Sequence, residues 1–102
     1  MAEWKNRKAL RRRVREVIRA YPSMGAADAP ERRAEYKAVR DALRAAERLP
    51  DGYWRVRLVR LALMGDRRTI DGAALECHVS PRTARNWNGA FILAVAKNLN
   101  WI

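Results

Sequence analysis

Arg82, Arg85 and Asn86 follow the pair Ser80-Pro81 at positions three and four apart, a spacing that puts them on one face of a helix. A guanidinium presents two donors that match the O6 and N7 acceptors of guanine, and a carboxamide pairs in the same two-point way with adenine. Around them stand groups suited to phosphate oxygens: the hydroxyls of Thr69, Ser80 and Thr83, the guanidinium groups of Arg67 and Arg68, and Arg11, Arg12 and Arg15 nearer the N-terminus. The chemistry on offer is recognition of double-stranded DNA. Catalysis finds little material, since the chain has one histidine and one cysteine and no His/Asp/Glu grouping at ligand spacing. Neither an enzyme, nor a metal site, nor a cofactor is expected. Cys77 and His78 are sequence neighbours across a helix end, a poor chelating geometry, and Cys77 reads as a small buried apolar residue. Asp71 and Glu76 read as capping or salt-bridging groups.

The elements that must position these residues can be read from caps and period. Thr69 is a plausible N-cap, and Ile70, Ala73, Ala74 and Cys77 recur at helical spacing. The period breaks at His78-Val79. Ser80 then offers a second cap and Pro81 a first helical residue that loses nothing by lacking an N–H. In the helix so begun Ala84, Trp87 and Phe91 or Ala90 face inward, and Arg82, Thr83, Arg85 and Asn86 outward. Ala74 and Ala84 fall where two steeply crossed helices need small residues. Residues 69–87 thus resemble the helix-turn-helix family: Ala74 on its small position, Val79 on its apolar turn position, Ser80 on the recognition-helix cap, Ala84 and Trp87 on the buried positions of that helix. His78 stands where the motif most often has glycine. Either His78 takes up positive φ, which His tolerates better than most residues, or the turn differs.

Three further helices are expected upstream, making an all-α fold of about five. Residues 3–20 carry Leu10, Val14, Val17, Ile18 and Tyr21 on one stripe, opposite a basic face. Residues 1–20 hold eight basic side chains against Glu3 and Glu16, about half of the net charge of +11. Tyr21-Pro22 ends this helix, because the residue before proline is pushed out of the helical region, and residues 23–30 form a loop. Residues 31–48 form an Ala-rich helix with Glu35, Val39, Ala42, Leu43, Ala46 and Leu49 near one face, expected to pack on the first. Asp51 is a candidate N-cap for a helix over 53–64, with Gly65 as its C-cap. A strand there is rejected because the chain offers it no partner.

At 102 residues the chain is one domain, divided into a basic helical support region (1–50) and a helix-turn-helix unit (51–102). A pI near 11.2 points to a polyanionic partner. No apolar run has the length of a signal peptide or a membrane span, so a cytoplasmic protein without membrane contact is expected. The C-terminal helix is apolar on more than one side, and Ile92, Leu99, Trp101 and Ile102 either contact a second copy, giving a two-fold dimer, or tuck back into the same subunit.

A basic first helix, a Tyr-Pro break, a mixed-charge helix and a terminal unit with Thr69, Gly72-Ala73-Ala74, Ser80, Thr83-Ala84, Trp87 and Phe91 resemble the short prophage-encoded regulators of the RinA and ArpU type. Their terminal unit is similar to region 4 of sigma factors. The resemblance covers the chain from about Asp51 onward. It implies activation of phage late genes by binding DNA near a promoter, with contact to RNA polymerase, and no enzymatic activity. Two alternatives stand beside it: a protein-binding adaptor or inhibitor docking through the basic helix, and a small terminase-like DNA-packaging protein.

Overall fold

Prolines and hydroxyl caps set most of the boundaries. The computed structural model describes residues 7–24, 30–64 and 68–102, Glu31 as backbone only. Within them the fold is all-α, with five helices: α1 (Lys8–Ala20), α2 (Pro30–Glu47), α3 (Gly52–Leu63), α4 (Ile70–Glu76) and α5 (Pro81–Asn98). Arg67, Gly65 and most of the 23–30 loop lie outside the described residues. No helix described is long and apolar enough to cross a membrane.

On α1 the stripe of Val14, Val17 and Ile18 is buried and Leu10 half-buried, while Arg12, Arg13 and Arg19 keep to the outer side where their charge stays hydrated and Arg11 and Arg15 are half-buried. The helix ends at Ala20, but not because Tyr21 leaves the helical region. Tyr21 keeps φ −52° and ψ −44°, and the chain tightens into a 3₁₀ turn over Tyr21–Ser23. The Tyr21 ring stacks on Tyr36 of α2, centroids 5.2 Å apart, so packing outweighs the bias that the following proline imposes.

Helix α2 buries Ala38, Val39, Ala42, Leu43 and Ala46. Its most extensive contacts are with α5 and α3, fewer with α1, so the expected α1–α2 pairing is the lesser one. Leu49 does not join the buried face. Backbone bonds from Arg48 to Ala45 and from Leu49 to Ala46 tighten the chain after Glu47, and Leu49 is left 49% exposed. Asp51 precedes α3 but does not cap it with its side chain; it turns the chain at φ 60°. Gly52 is required there. A Cβ on it would sit 2.1 Å from the Glu47 carbonyl oxygen.

Two apolar clusters result. Val14, Ile18, Val39, Leu43, Val59, Ile92 and Val95 belong to the larger, between α1, α2, α3 and α5. Leu58, Leu61, Ala73, Ala74, Cys77, Ala84 and Trp87 form the smaller, between α3, α4 and α5. Helices α3 and α5 run through both. The apolar excess of α5 is covered within the chain: Ile92 is buried, and Leu99 and Trp101 pack on the larger cluster. Asn100, at φ 59°, reverses the chain so that Trp101 N–H bonds the Ala96 carbonyl and Asn100 N–H that of Lys97, a Schellman closure. Trp101 lies under the Arg13 guanidinium, 4.6 Å from its ring centre. Of the four residues considered for a dimer contact, Ile102 alone stays exposed.

Candidate nucleic-acid interface

The turn between α4 and α5 fixes the direction of everything beyond it. His78 takes up positive φ, 59°, and its N–H bonds the Leu75 carbonyl while the Val79 N–H reaches back to Ala74. This is the same closure that ends α5, with histidine in the place glycine usually fills. The His78 ring meets Trp54 edge to face, 5.4 Å between centroids, a contact that offsets part of the backbone cost.

Both hydroxyl caps form as their sequence implies. Thr69 Oγ1 accepts from Gly72 N–H at 3.0 Å and Ser80 Oγ accepts from Thr83 N–H at 3.1 Å. Ser80 also donates to Thr83 Oγ1, so its proton is engaged within the cap. Thr69 and Thr83 act in these bonds as acceptors through their side chains, which leaves each hydroxyl proton to donate outward.

From Pro81 onward α5 sorts its side chains by face. Ala84 and Trp87 are buried against α4 and α3, and Phe91 follows them inward while Ala90 does not. Arg82, Arg85 and Asn86 are all exposed. Alanines 73, 74 and 84, each at most 1% exposed, remove the side-chain bulk that would otherwise hold α4 and α5 apart.

Acidic residues on α4 fasten several of the basic ones. Asp71 lies 3.7 Å from Arg85. Glu76 pairs with Arg68 and lies 3.8 Å from Arg57. Arg68 is therefore held against the end of α4, an attachment the sequence did not reveal, although Glu76 was legible as a salt-bridging group. Burial raises the Cys77 thiol above its ordinary range, Arg57 opposing in part, in keeping with a packed rather than reactive cysteine.

Helix α1 comes up beside this surface. Arg11 and Arg15 line an open cleft of about 300 Å³ together with Ile70, Arg85, Asn88 and Gly89, while Arg12 is exposed on the adjoining face. Arg15 titrates below the usual guanidinium range because of partial burial and the like charges of Arg11 and Arg12; it stays protonated at neutral pH. The fold thus joins Arg11, Arg15 and Arg85 at one place, seventy residues apart in sequence. Asn88 and Gly89 were not among the expected site residues. Asn88 follows Arg85 by three positions and shares its side of the helix, the one signal that would have found it.

Comparison with models of known families, with curated proteins and with solved structures returns no match.

Proposed function

We propose that this chain is a sequence-specific DNA-binding protein and that α4 and α5 are its helix-turn-helix, with α5 as the helix that enters the major groove. Arg82, Arg85 and Asn86 contact base edges. Thr69, Thr83, Arg68 and the α1 arginines Arg11, Arg12 and Arg15 hold the backbone, while Ser80, its proton engaged with Thr83, caps the helix that carries the reading face. The observation that carries this reading is the sorting of the first turns of α5: three side chains able to read bases stand exposed on one face, while Ala84 and Trp87 from the same turns are buried and keep the helix rigid. The net charge of +11 supports it by supplying the non-specific attraction on which specificity is built.

The similarity of residues from Asp51 onward to RinA- and ArpU-type regulators favours a role in transcription near a phage promoter. That role involves RNA polymerase as a second partner and no catalytic step. Selection of bound fragments from a random duplex pool tests the reading. A recurrent motif containing G and A at adjacent positions supports it, a palindromic one adds two-fold symmetry on the DNA, and a pool that stays random after several rounds overturns it.

A further inference from the structure

We infer that the face shared by the C-terminal half of α2 and the middle of α5 is a contact between two copies of this chain, in which Leu49 of each copy enters an apolar pocket of the other. The inference goes beyond the DNA reading and does not rest on it.

Knob and hole lie side by side on this face. Between α2 and α5 a pocket of about 80 Å³ is walled by Ala42, Ala46, Ala90, Phe91 and Ala94, and Leu49 stands at its rim, half-exposed. Cavities of ~150 Å³ admit a benzene, so this one has room for a single aliphatic side chain. The one charged side chain in its wall is already engaged: Arg55 donates from Nε to the Pro50 carbonyl at 2.9 Å and lays its guanidinium over the Trp87 ring, 5.0 Å from the centre. What remains open is apolar. A large side chain held in water beside an apolar hole is self-complementary, and a self-complementary patch closes on a second copy about a two-fold axis.

Helix geometry sets the register. Ala45 is exposed and carries little bulk, so two α2 helices can approach closely there. With the two-fold axis beside Ala45 and Ala46 and the helices antiparallel, Leu49 of one copy comes opposite Ala42 of the other, and Ala42 is a wall of the pocket. Charge agrees with that register. A chain of net charge +11 repels its copies through the arginine faces of α1 and the start of α5, but this part of α2 carries both signs. Asp41 and Arg48 flank Ala45 on the same side of the helix. The antiparallel arrangement sets Asp41 of each copy beside Arg48 of the other, with Lys37 and Arg44 about a quarter-turn away. The pairing of Asp41 with Arg40 inside the chain, 3.5 Å with both side chains partly in water, is weak enough to be exchanged. On α5 the contact begins at Ala90, one turn beyond Asn86, so Arg82 and Arg85 stay clear of it.

Sedimentation equilibrium of the full chain without DNA reads the contact directly. Between about 1 µM and about 1 mM protein the mass should rise from 11.8 kDa toward twice that value. Leu49→Ser and Ala45→Glu change exposed positions, so the circular dichroism melt should stay in place while the dimer dissociation constant rises about tenfold or more. Asp41→Arg and Arg48→Asp should each weaken the dimer, and the double variant should restore it, because exchanging the signs keeps both pairs across the axis. A chain that stays monomeric over that range overturns the inference, and a mass that climbs beyond two copies overturns the two-fold axis. A dimer indifferent to Leu49→Ser and Ala45→Glu, but dissociated by Ile102→Ser, moves the contact to the C-terminus and overturns it equally. A dimer with the expected sensitivities, in a protein whose selected duplex pool stays random, supports the contact and removes the DNA reading. A monomer that selects a duplex motif does the reverse.

Discussion

Arg85 and Arg12 are both exposed arginines, yet their surroundings assign them different work. Arg85 projects from the α5 face that carries Arg82 and Asn86, with Asp71 beside it, whereas Arg12 sits on α1 among other cations. Replacing Arg85 by alanine should lower affinity for a selected site by about 1–3 kcal/mol and relax the preference at one base position. Replacing Arg12 should weaken every duplex alike and flatten the salt slope by roughly 0.9. Fluorescence anisotropy on a selected and a scrambled duplex separates the two, and identical behaviour of both variants would refute the division of roles. His78 is the other residue whose conformation has consequences. At φ 59° glycine should be accepted with a net change within ~1 kcal/mol, since relief of the Cβ strain opposes the loss of the Trp54 contact. Valine, stiff and branched at Cβ, should cost about 1–3 kcal/mol. Equal stability of the two variants by urea denaturation would show that the turn does not depend on that backbone geometry.

The helices themselves were legible because their signals are local. Thr69, Ser80 and Pro81 act within one turn of where they stand, and α4 and α5 begin where those residues direct. Removing the Ser80 hydroxyl by alanine leaves the Thr83 N–H without its acceptor and should lower unfolding free energy by ~1 kcal/mol, read as a shift in the urea midpoint at constant m-value. What sequence reasoning missed depends on contacts made at a distance. Tyr21 remains helical because Tyr36 is stacked on it, Leu49 is exposed because the chain tightens after Glu47, and Asp51 turns rather than caps because Gly52 must press against the Glu47 carbonyl. That last contact makes Gly52→Ala a strong test of the α2–α3 corner. A methyl group 2.1 Å from backbone oxygen forces one helix to move, and a loss of about 1–3 kcal/mol or more is expected in the same denaturation measurement.

At the scale of the molecule, residues 51–102 carry the proposed recognition elements, yet they do not carry a core of their own. Only the smaller cluster, with Leu58, Leu61 and Trp87, lies wholly within them. Val59 on α3, Met64 just beyond it, and Phe91, Ile92, Val95 and Ala96 on α5 belong to the larger cluster, whose other members come from α1, α2 and Met24 between them. Asn98 further ties the end of α5 to α2, its Nδ2 donating to the Ala38 carbonyl at 3.0 Å. The division at residue 50 is therefore one of role rather than of folding. A fragment of 51–102 would expose one whole side of α5, several large apolar side chains each worth about 1.5–3 kcal/mol when buried, against a total stability that for a domain of this size is ~5–15 kcal/mol. Circular dichroism of that fragment should show little cooperative melting, while the full chain should unfold in a single transition when followed both by the summed fluorescence of its four tryptophans and by helicity. A fragment that melts cooperatively on its own would mean that the α3–α5 unit is self-sufficient and that α1 and α2 were added for their charge rather than for the core.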